Sequence, residues 1–114
     1  MSNYIFPLNV KTNENHAVDF LKNKSWGCDQ LYTMKSLIGN RAYLIPTKKS
    51  VEKYGKSNLD VLIAGNVSVN ENPINSKFKR IYSCKNMVRI PYDTFELVWG
   101  KLPNMNSGPI KTNK

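Results

Sequence analysis

The chain is poor in the residues from which most small-protein chemistry is built. It has one histidine, His16, and two cysteines, Cys28 and Cys84. A structural zinc site needs about four ligands, usually Cys and His, so no metal centre is expected. The cysteines lie 56 positions apart and form no CxxC motif, which makes them expected reduced core residues rather than a disulfide pair. A Cys–His nucleophile would need His16 beside Cys28 or Cys84 and a third orienting group, and no signature surrounds either cysteine. Eight acidic residues are scattered along the chain, without the carboxylate clusters of metal-dependent nucleases. Gly27, Gly39, Gly55 and Gly65 stand alone, so no phosphate-cradling loop is present. The longest apolar runs, at 42–46 and 61–65, are far below the roughly 20 residues that span a bilayer. The opening MSNYIFPLN does not read as a basic-then-apolar leader. These absences lead to the expectation of a soluble cytoplasmic protein with no cofactor, no catalytic residue and no membrane partner.

The most informative absence is that of negative charge. Residues 72–92 contain no Asp or Glu, hold Lys77, Lys79, Arg80, Lys85 and Arg89, and interleave them with Phe78, Ile81, Tyr82, Met87 and Val88. Read as a strand, this alternation places Lys77, Lys79 and Lys85 on one face and Phe78, Tyr82 and Cys84 on the other. Same-face neighbours lie roughly 6–7 Å apart, close to the spacing of phosphates along a nucleic-acid strand. The net charge is +9 and the pI about 9.7, which favours polyanionic partners. The imbalance is uneven. Residues 1–40 carry four Lys against three acids, whereas residues 41–89 carry ten cations against Glu52, Asp60 and Glu71.

The length of 114 residues fits one domain with a real core. An opening strand is expected at 4–8, with Pro7 suited to an edge or bulge. A helix follows, capped by Thr12 or Asn13, with His16 near its first turn, Ala17, Phe20 and Leu21 facing inward, and an end near Lys24. A second short helix is expected at 29–38, stopped by Gly39-Asn40. Strands are expected at 41–47 and 59–69, the latter with a bulge or bend at Gly65-Asn66. Residues 48–58 read as a polar loop or single helical turn. The basic strand is expected to break near Lys85-Asn86 and to form a hairpin with 88–91. Residues 92–99 read as a closing helical turn or a last strand, and 103–114 as a mobile polar tail. This order predicts an α+β domain over 1–102, a small, mostly antiparallel sheet or open barrel with one or two helices.

The run Lys24-Ser25-Trp26-Gly27-Cys28, then Arg41-Ala42-Tyr43-Leu44-Ile45-Pro46, then the Gly65-containing stretch 61–69, resembles the PUA-like superfamily, especially its EVE and YTH branches. The likeness is one of order over residues 4–95. It implies a small barrel-like reader that takes a modified or flipped base into an aromatic pocket. The implied pocket comprises Ser25, Trp26, Gly27, Cys28 and Tyr43, with Trp26 as the stacking ring; Trp99 lies too late in the chain to match a second pocket Trp.

The resulting expectation is a module that binds nucleic acid, RNA or DNA, through Lys77, Lys79, Arg80, Lys85 and Arg89. Two alternatives stand beside it. One is a small inhibitor or antidefence protein whose basic face covers an acidic protein surface. The other is a metal-independent ribonuclease using His16 as its base.

Overall fold

A computed structural model describes residues 2–10, 17–28, 35–103, 105 and 109–114. The fold is α+β. Six strands, β1 (Asn3–Leu8), β2 (Ser25–Cys28), β3 (Arg41–Pro46), β4 (Asp60–Asn70), β5 (Arg80–Pro91) and β6 (Ile110–Thr112), form one sheet in the order β2-β5-β4-β3-β1-β6. β1 and β3 pair in parallel, and the other four pairings are antiparallel. Among the described residues three helices accompany the sheet, α1 (Val18–Asn23), α2 (Lys48–Tyr54) and α3 (Tyr92–Trp99), against the one or two expected.

The sheet curls into a half-barrel. In strand order β1 lies three places from β5, yet the Phe6 ring meets Trp26 of β2 and Tyr82 of β5 edge-on, at centroid distances of 5.6 and 5.4 Å. Only a strongly curled sheet closes that gap. Trp26 stacks on its cross-strand partner Tyr82 at 5.6 Å and 17°. The three rings fill the concave side together with Leu44, Leu62, Ala64 and Val67. The opposite face of β3 is covered by α3, where Tyr43 packs on Phe95 and Trp99. The central strands are therefore buried on both faces, which explains their near-continuous apolar sequences.

Several local signals act as the sequence predicts. Helix α1 ends at Lys24, which takes a left-handed conformation, and Ala17 before it is fully buried. Thr47, expected only as the end of a strand, caps α2 by accepting the Ser50 N–H at 3.3 Å. Pro7 lies beyond the three β1 residues that pair with β6, so its missing N–H disrupts no β1–β6 pairing. The bend in β4 forms at Asn66, whose φ is 57°. Register with β5 continues unshifted from Gly65↔Asn86 to Val67↔Cys84, so it is a bend without an inserted residue.

Other expectations are corrected. β5 does not break at Lys85-Asn86 to form a hairpin with 88–91, because β4 offers a continuous partner from Asp60 to Asn70 and absorbs the distortion at Asn66. The described part of the expected second helix is a single 3-10 turn, Lys35–Leu37, anchored by fully buried Leu37. Residues 48–58, expected as a polar loop or a single helical turn, form the seven-residue helix α2 and a 3-10 turn. The closing residues, expected to be a tail outside the domain, supply edge strand β6, and the Lys114 carbonyl accepts the Tyr43 hydroxyl at 3.2 Å. Backbone pairing with β1 requires no apolar residue, so a polar composition did not reveal it. Thr12, Asn13, His16 and the first six residues of the expected second helix lie outside the described residues.

Candidate nucleic-acid interface

The basic residues form three groups along β5 rather than one even stripe. Lys77 and Lys79 lie in the turn before β5, so the strand alternation that aligned them with Lys85 does not extend to them. Asn75 in a left-handed conformation and the Ser76 hydroxyl, which accepts the Phe78 N–H at 3.1 Å, fix this turn instead. Arg80 opens the strand opposite Cys28. Lys85 follows roughly 17 Å further on, and Arg89 about 30 Å from Arg80, at the usual rise per residue. At physiological ionic strength the Debye length is about 8 Å, so these groups act on a ligand separately.

The groups are not equivalent. Arg89 is committed to the fold: its Nε lies 2.8 Å from Oδ2 of buried Asp60. Lys77, Lys79 and Lys85 are exposed and form no ion pair with any described residue. Glu71, at the other end of the β4–β5 loop, continues the register towards Arg80, since Asn70 pairs with Ile81. The uncompensated charge is therefore carried by the three lysines. Lys24 joins them. Its carbonyl accepts the Cys84 N–H at 2.9 Å, and its Nζ reaches the Lys85 carbonyl at 3.4 Å. Nothing in the sequence marks Lys24 for this place, because pairing across 60 residues brings it there.

Phe78 supplies an aromatic within the basic turn. Strand alternation put it on the packing face with Tyr82, but its ring rests on the outer surface against Gly27, which faces away from its buried neighbour Trp26. Only glycine leaves room there, since a β-carbon at position 27 would overlap the ring. The Lys77 ammonium stands 5.3 Å from the ring centre. Further along this outer face, register aligns Ser25, Ser83 and Ser68 across three strands. The Ser68 and Ser83 hydroxyls are 2.7 Å apart. Lys85 follows Ser83 by two positions and so continues on the same side. The outer surface of β2, β5 and β4 thus presents an aromatic ring, a hydroxyl row and exposed ammonium groups.

The residues of the implied base pocket are not gathered into one cavity. Trp26 is 3% exposed, with Tyr82 on its ring and Phe6 at its edge. Its indole Nε1–H is buried with no acceptor among the described residues. Ser25 and Gly27 point to the outer surface, and Tyr43 lies under α3 on the other side of the sheet from Phe6. Cys28 pairs with Arg80, while Cys84 lies beside Lys24 four positions along β5, too far for a disulfide. Burial raises the Cys84 thiol pKa, and the nearby Lys24 ammonium works against that rise.

No three of His, Cys, Asp and Glu cluster as metal ligands among the described residues. No helix among them is long and apolar enough to cross a membrane. His16, the base of the ribonuclease alternative, lies outside the described residues. No family model, curated protein or solved structure matches the chain.

Proposed function

We propose that this protein is a nucleic-acid-binding module that contacts phosphates through the turn before β5 and the outer face of β5. The observation that carries the reading is the set of uncompensated lysines: Lys77 and Lys79 in the turn held by Asn75 and Ser76, and Lys85 on the paired strand β5. Lysines held this way neutralise phosphates without reading bases, so they supply affinity and orientation rather than sequence choice. The Ser25, Ser83 and Ser68 hydroxyls add donors of the kind that contact phosphate and sugar. Arg89 contributes to stability instead, through Asp60. The curled sheet is compatible with the PUA-like resemblance. A base held at Trp26 would require that ring to leave the Phe6–Tyr82 cluster.

A second reading rests on a different observation. Leu97 and Val98, adjacent on α3, are 87% and 89% exposed, and exposed apolar pairs of this kind favour a protein partner. In that reading the basic face steers the protein to an acidic surface. Affinity capture of the tagged protein from lysate, with and without nuclease, separates the two. The nucleic-acid reading expects co-purifying nucleic acid that nuclease removes. A stoichiometric protein that stays bound after nuclease, with no nucleic acid in the untreated sample, contradicts it.

A further inference from the structure

We infer that Phe78 is a base-stacking platform, and that the ligand of this surface is single-stranded nucleic acid rather than duplex. The inference rests on the nucleic-acid reading above and deepens it. Phe78 is a half-buried aromatic on the outer surface rather than in the core, and its position is built rather than incidental. Gly27 provides a floor that no other residue would leave open. The Ser76 hydroxyl holds the Phe78 N–H, and the Cys28↔Arg80 pairing fixes the chain just after it. A ring held by its surroundings gives up little freedom when a base stacks on it.

The surroundings suit a single strand. Lys77 and Lys79 flank Phe78 in the chain, and Lys77 already stands over the ring at 5.3 Å. An exposed cation–π contact is weak, so this ammonium is available to a phosphate once a base covers the ring. From the turn, the outer face leads past Ile81 to the serine row and then to Lys85 and Lys24. Ile81 to Lys85 spans roughly 13 Å, about two phosphate spacings along a strand. Bases in a duplex are already stacked on one another and present no free face to a side chain in this setting, whereas a single strand does. Stacking is also tolerant of sequence, because every base has a π-face.

The test compares a fluorescein-labelled single-stranded 12-mer with a duplex of the same length, at one fixed salt concentration, by fluorescence anisotropy. The wild-type protein is expected to bind the single strand more tightly. Phe78→Leu is expected to lose about tenfold in single-strand affinity, with duplex binding unchanged, and Phe78→Trp is expected to restore it. Phe78→Trp also reports without any destabilising truncation: its emission, taken as the difference from wild type, should be quenched by the single strand and not by the duplex. Equal wild-type affinity for both forms, an unchanged Phe78→Leu, or an unquenched Phe78→Trp would overturn the stacking role while leaving the phosphate-binding reading intact. Binding of neither form by wild type would overturn both.

Discussion

The ring of Phe78 occupies the space into which a side chain on Gly27 would project. This contact joins the turn that carries Lys77 and Lys79 to the edge strand that carries Trp26 on its other face. A small residue in β2 thereby determines where the basic turn sits.

Gly27→Ala should therefore act through Phe78. Overpacking of this kind costs about 1–3 kcal/mol, and chemical denaturation should show a loss in that range for Gly27→Ala alone. In a Phe78→Ala background the same substitution should cost little, giving a coupling energy of at least about 1 kcal/mol in the double-mutant cycle. Additive losses would mean that the alanine methyl is accommodated without moving the ring.

Trp26 should behave as a core residue. Trp26→Ala is expected to cost about 3–5 kcal/mol, read as a large fall in denaturation midpoint. Trp26→Phe should cost much less, because it keeps an aromatic beside Phe6 and Tyr82 and removes a buried indole N–H that has no acceptor among the described residues. A folded Trp26→Phe that loses all nucleic-acid binding would show instead that the indole contacts the ligand.

Arg89 and Lys85 lie on the same strand and should separate cleanly. Arg89→Ala removes the 2.8 Å ion pair to Asp60 and is expected to lower stability by about 1–2 kcal/mol, between the values for exposed and buried pairs. The salt dependence of oligonucleotide binding should be unchanged. Lys85→Ala should do the reverse, leaving the melting temperature in place and making the salt slope shallower by about 0.7.

The central strands were legible because alternation and β-branched residues are local: Arg41–Pro46 and Asp60–Asn70 fall within a residue or two of the sequence reading. The closing helix at Tyr92–Trp99 was legible as one of two alternatives, which its apolar spacing alone did not separate. The acid-free run was equally plain, but strand alternation aligns Lys77 with Lys85 only if the strand begins before Lys77. The turn at Asn75 and Ser76 delays it to Arg80, and Phe78 consequently lies on the opposite side of the sheet from the one assigned to it. The commitment of Arg89 to Asp60 and the arrival of Lys24 beside Lys85 depend on pairings across 29 and 61 positions. Composition and spacing do not encode contacts at that range. The separation of Trp26 from Tyr43 by the sheet itself follows from strand register, which pairs Phe6 with Leu44 and leaves Tyr43 on the other face, and from the curling that brings Phe6 to Trp26; both arise only when the strands are assembled.

Neutralisation of phosphates by Lys77, Lys79 and Lys85 is measured directly by a salt titration. The affinity of the wild-type protein for a single-stranded oligonucleotide, measured between 50 and 300 mM NaCl, across which the Debye length shortens from roughly 14 to roughly 6 Å, should fall with a log–log slope of about −2 to −3 for three to four neutralised phosphates. The folded triple variant Lys77→Glu, Lys79→Glu, Lys85→Glu should lose most of that slope along with the affinity. A flat wild-type titration, or a triple variant that keeps both the wild-type slope and affinity, would contradict the claim.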